Sequence, residues 1–167
     1  MRTISILAAG VIAAAISSGA FAQGADQKFM KEAIEGNLAE VKMGQLAQQN
    51  GASADVKSYG QMLVTDHGQA NTKAQSVAQS INVTPPSEPN AKQKKDYDKM
   101  SKMTGAGFDK AFAQHMAADH KKAIAAFQKA TKSKNSSVAS FASETVPTLQ
   151  KHLQTAQSLQ KGRSAKQ

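Results

Sequence analysis

The side chains of this chain that could do chemistry are its histidines and a few of its acids. There are four histidines and twelve acidic residues in 167 positions, and no cysteine. Placed on helices at about 100° per residue, His67 falls inside an apolar stripe near Leu63, Ala70 and Ala74. His152 lies likewise between Leu149 and Ala156, while Asp119 and His120 flank the stripe through Met116 and Ala123. Glu40 borders another, close to Ala33, Gly44 and Ala47; His115 projects toward an edge, and Glu32 and Glu35 face away. Imidazoles and carboxylates reaching inward from facing helices are how helical proteins hold first-row transition metals. His67, His120 and His152, with Glu40 or Asp119 completing the set, are therefore the candidate ligands of a single ion. Asp66 beside His67, and Asp119 beside His120, offer local charge or a supporting hydrogen bond. Neighbours in sequence point about 100° apart on a helix, so neither pair chelates by adjacency. The plainer alternative stays open: each histidine is a buried neutral side chain bonded to a Ser, Thr or Gln of the next helix.

Other chemistries lack their residues. Without cysteine there are no disulfides, thiolate metal sites, iron–sulfur clusters or cysteine nucleophiles. No Gly-x-Ser-x-Gly elbow and no Gly-rich phosphate loop occur, so hydrolase and nucleotide-binding readings have no support. Met100-x-x-Met103 is a lone spacing, not the repeated Met-x-x-Met cluster of copper-handling proteins, and the methionines read as core fillers. A formal charge of +9 invites nucleic acid as a partner, but with 5% aromatic residues nothing interleaves to stack bases. Attraction to an anionic envelope surface, or plain solubility, accounts for the charge instead.

The elements that must position these groups are helices. Strand-favouring residues are sparse and the apolar positions recur at helical spacing, so the class is all-α. A first helix spans Asp26 to Asn50 and stops at Asn50-Gly51, a left-handed end signal. Ser53 caps a second, with Asp55 in its first turn, running to about Ile81. Pro85, Pro86 and Pro89 make 82–90 a loop; 92–102 is a short helical lead-in broken by Gly105 and Gly107. A third long helix spans Phe108 to Lys132 and a fourth runs from about Val138 to Gln160, with Pro147 freeing the carbonyl of Ser143 and bending it. Two hairpins joined by a crossover over 82–104 give an antiparallel four-helix bundle, followed by a flexible basic tail at 161–167. The hairpins echo one another, Phe29-x-Lys31 matching Phe108-x-Lys110 and Val56-x-Ser58-Tyr59 matching Val138-x-Ser140-Phe141.

Residues 1–22 stand apart from that fold. Arg2, the small and apolar run Ile4–Ile16 and the Ala20-Phe21-Ala22 site form a signal peptide cut before Gln23. The mature domain is then 23–167, exported to a bacterial periplasm or beyond, with no further span.

The motifs also carry a resemblance. Phe29-x-Lys31-Glu32-Ala33, Leu38-Ala39-Glu40-Val41-x-x-Gly44, Val56-Lys57-Ser58-Tyr59, Met62-Leu63-Val64-x-Asp66-His67, Gly107-Phe108-Asp109, Met116-x-x-Asp119-His120 and Pro147-Thr148-Leu149-x-x-His152 occur in that order. The chain resembles, over nearly all of its mature length, the bacterial family called domain of unknown function 4142. The resemblance implies an exported, ferritin-like four-helix protein without an established activity. A ferritin-like di-iron site wants Glu-x-x-His on two helices, and here Val64 and Leu149 stand three residues before His67 and His152. A single metal ion is the expectation that remains, in a binding or stress-linked envelope protein. The alternatives are a metal-dependent redox enzyme and a basic module that docks on anionic envelope polymers.

Overall fold

A computed structural model describes residues 17–164, with side chains from 23 to 162. Most of the leader segment, and the last residues of the basic tail, lie outside the described residues. Among the described residues every regular element is a helix: α1 (Ser17–Asn50), α2 (Ala54–Ser80), α3 (Ala91–Ser101), α4 (Gly105–Ala130) and α5 (Ser136–Ser164). No helix there is long and apolar enough to cross a membrane.

Local chemistry explains the boundaries and corrects several expected ones. The Ser53 hydroxyl accepts from the Val56 N–H and starts α2, as its type and place foretell. Gly51 ends α1 without taking a left-handed φ; Asn82 (φ 60°) and Gly105 (φ 63°) are the residues that do. Gly51 is there for room, since a Cβ on it would stand 2.5 Å from the Ala47 carbonyl oxygen and 2.9 Å from Val56 Cγ1. Gly105 and Gly107 do not break a helix but lie in the first turn of α4, and Gly105 takes φ 63°, a conformation glycine adopts without a Cβ clash. α1 begins at Ser17, well before Asp26, and runs unbroken across the expected cleavage point at Gln23. α5 passes through Pro147 and on to Ser164, absorbing the start of the expected tail. Pro147 and Ser143 are both exposed, so water can satisfy the carbonyl that proline frees. Asn90 and Gln93 form a capping box at the head of α3 that the sequence reading missed.

Packing sets α1 against α2 and α4 against α5 as antiparallel pairs, with α2·α5 and α1·α4 contacts joining them. Gln27 reaches Ile81, Asn37 meets His67, and Gly44 faces Gly60 so closely that a Cβ on either would strike the other's carbonyl. The segment from Ile81 to Thr104 returns along α1: Asn90 bonds Glu35, and Asn50 donates to the carbonyls of Ser101 and Met103. Buried Asp109 closes this end by accepting from the Ala52 and Ser53 N–H groups, at 2.8 and 3.1 Å.

The apolar core is in two parts. One holds Met30, Ile34, Ala74, Phe127, Phe141 and Leu149; the other holds Met43, Leu63, Phe108, Phe112, Met116 and Ala156. Each of α1, α2, α4 and α5 contributes to both. Between its two contributions each carries a buried polar residue: Asn37, His67, His120 and His152 respectively. A polar layer thus crosses the middle of the core.

Candidate metal centre

The layer brings three imidazoles together. One ring nitrogen from each of His67, His120 and His152 lies within 4.8 Å of the other two. Their ring centroids form a near-equilateral triangle of 5.6, 5.2 and 5.3 Å. All three side chains are buried, at 5%, 1% and 0% exposure.

Their hydrogen bonds decide which nitrogens are free. The His120 Nδ1 lies 2.9 Å from the Met116 carbonyl, which can only accept, so Nδ1 carries the proton and Nε2 keeps a lone pair. The His152 Nε2 stands 2.8 Å from Asp66 Oδ2, so that nitrogen donates and Nδ1 keeps the lone pair. The His67 Nδ1 donates to Asn37 Oδ1 at 2.9 Å, and its Nε2 is buried without a partner. The two free nitrogens of His120 and His152 face each other at 3.3 Å. Two lone pairs at that distance repel unless a proton or a cation lies between them. The same distance is the edge of a tetrahedron about an ion with metal–nitrogen bonds of about 2.0–2.1 Å.

Electrostatics keep these rings neutral. Burial first, then the charges His120 and His152 would carry, hold His67 well below the usual imidazole range. Burial lowers His120 to about 4, with His152 adding to the effect. His152 is lowered by burial as well, against the opposing pull of Asp66. At neutral pH all three are imidazoles, the form that binds metal.

The two acids join the layer differently. Glu40 Oε1 lies 3.7 Å from the His120 Nδ1, the nitrogen turned away from the other rings, and Oε2 has no partner. Burial, with the charge of Asp119 added, pushes Glu40 up to about 8. Asp119 turns one helical turn back to His115, at 3.1 Å, and to Lys122 at 3.8 Å. Neither carboxylate is in the converging set, although both line an adjoining cavity of about 310 Å³ that reaches His67 and His120. Asp66 supports a histidine, but it is His152 of α5 and not its own neighbour His67. Asn37, which orients His67, escaped the sequence reading; an amide in the stripe Met30-Ile34-Asn37 was the signal available. Tyr59 was missed too: it donates to the backbone carbonyl of His152 at 3.0 Å and fixes that turn of α5.

Fold and centre together define an all-helical protein with a buried three-histidine cluster. The chain belongs to the family described as domain of unknown function (DUF4142), whose profile matches residues 12–159. No curated protein and no solved structure matches it.

Proposed function

We propose that this protein is an exported, ferritin-like four-helix bundle that binds one transition-metal ion on His67 Nε2, His120 Nε2 and His152 Nδ1, in a binding or stress-linked role in the envelope. Export rests on the leader-like residues 1–22 and the crossover topology on the return of 82–104 along α1. The observation that carries the metal reading is the proton inventory: each ring donates its other nitrogen to a fixed acceptor and turns a bare lone pair inward. Ligand histidines in metalloproteins are held in this way, by a carbonyl or carboxylate on the far nitrogen. A histidine that served only packing would use both nitrogens, and His67 does not. A mononuclear centre is the reading because, among the described residues, no carboxylate joins the three histidines to bridge a second ion. The residues three before His67, His120 and His152 are Val64, Ala117 and Leu149.

The test is calorimetric titration of the untagged protein with zinc, copper, manganese and iron beside a His67→Ala/His152→Ala double variant. Uptake of one ion per chain, micromolar or tighter and lost in the variant, is the expected result. Equal binding by both proteins, or none by either, would return the histidines to the core and move the search to the basic surface.

A further inference from the structure

Resting on that metal reading, we infer that the centre is built for a soft monovalent ion, copper(I), in preference to zinc or another dication. The first reason is the count of charges around the ion. The converging donors are three neutral imidazoles, and the one carboxylate hydrogen-bonded to them is Asp66, on His152. Glu40 stands behind His120, and Asp119 is engaged with His115 and Lys122. A single positive charge on the histidines is balanced by Asp66. A double charge must also draw on Glu40, which lies 3.7 Å from the outer nitrogen of His120 without a hydrogen bond to it, and charge balanced only at that remove in a buried layer is costly.

The second reason is the remaining wall. Met43 and Met116 are buried, at 3% and 0% exposure, and both line the cavity that reaches His67 and His120. They come from α1 and α4. Thioether sulfur is a soft, uncharged donor that favours copper(I) and contributes little to zinc held by imidazole. Three imidazoles already satisfy the low coordination number copper(I) accepts, and a thioether adds a fourth donor without adding charge. Sequence spacing hides this arrangement, because the two methionines lie 73 positions apart and form no local motif.

Zinc-loaded protein is titrated anaerobically with copper(I) supplied as its acetonitrile complex, and released zinc is read with a chromophoric chelator. One equivalent of copper(I) is expected to release one equivalent of zinc, with sulfur as well as nitrogen scattering in the copper X-ray absorption spectrum. Met116→Leu and Met43→Leu keep the apolar volume, and at least one is expected to weaken copper(I) by roughly tenfold, the scale of a lost supporting group, while leaving zinc affinity unchanged. A protein that takes up neither ion overturns the metal reading and this inference together. Zinc that stays bound against copper(I), or methionine variants that bind copper(I) like the parent with no sulfur scattering, overturns this inference alone.

Discussion

Metal-free, the polar layer should cost stability, and the cost can be recovered by removing it. The His67 Nε2 and the Asn37 Nδ2 are both buried with no hydrogen-bond partner. Each unsatisfied buried group is worth about 1–3 kcal/mol against the folded state, while the single bond between Asn37 and His67 returns only about 1 kcal/mol. Replacing both by leucine (Asn37→Leu/His67→Leu) removes the two orphans and that bond. It also lays apolar surface between two core clusters that the layer now separates, and the adjoining cavity of about 310 Å³ gives the larger residue at 37 room. The expected net effect is a gain of about 2–4 kcal/mol for the apo-protein. At a few degrees per kcal/mol for a domain of this size, the melting temperature should rise on the order of 10 °C.

The assay is thermal unfolding followed by circular dichroism, in chelator and again with excess metal. The parent should gain about 2.7 kcal/mol at a hundredfold excess of free ion over its dissociation constant. The double variant, lacking one ligand, should gain far less. A double variant less stable than the parent in chelator would refute the reasoning, because it would mean the layer is satisfied as it stands.

Two further outcomes follow from particular groups. His120, held at about 4, takes up its proton in the unfolded chain from about 6.5 downward, so apo-protein stability falls as pH drops across that window, by about 3 kcal/mol for this residue. His67 and His152 are also lowered and act in the same direction. Glu40 works oppositely: the unfolded chain releases its proton near 4.5 and the folded chain near 8, so stability falls as pH rises between them. Urea midpoints in chelator should therefore peak near pH 6–7; a plateau extending down to pH 4.5 would contradict the neutral-histidine assignment. Asp109→Ala strips two charge-assisted bonds from the turn between α1 and α2. It should cost about 3 kcal/mol in denaturant unfolding without altering metal stoichiometry; a loss under about 1 kcal/mol would show that water replaces the carboxylate.

How much of this could be read beforehand depended on what periodicity measures. A helical wheel gives an angle about one axis, and angle was enough to turn His67, His120 and His152 inward from three helices. It does not give height, or which helices are neighbours. Glu40 has the right angle, yet its carboxylate lies against the outer nitrogen of His120. Asp119 sits on the stripe border and is taken by His115, four residues earlier on the same helix. Asp66 looked like a partner for the histidine beside it and instead crosses from α2 to α5, a choice made by helix register. The stop at Asn50-Gly51 was placed correctly and explained wrongly: glycine is needed there because a Cβ would strike the Ala47 carbonyl and the Val56 side chain, not because the residue takes a left-handed φ.

A buried polar layer has a second physical use, and the two uses make different demands. Polar residues in a core can fix the register of helices, since a slipped pairing strands them in apolar surroundings. Each of the four long helices here crosses the layer once, as such a device would require. A register device works best when all its members are satisfied, because any orphan weakens the state it is meant to select. Asn37 to His67, and Asp66 to His152, would serve that purpose by themselves. The histidine face contradicts it: the His67 Nε2 has nothing to bond, and two acceptor nitrogens face each other at 3.3 Å between His120 and His152. Those features penalise the native register itself, and a proton or a cation among the three rings relieves them. The outer bonds of the layer can hold register, whereas its inner face fits the cation site proposed above.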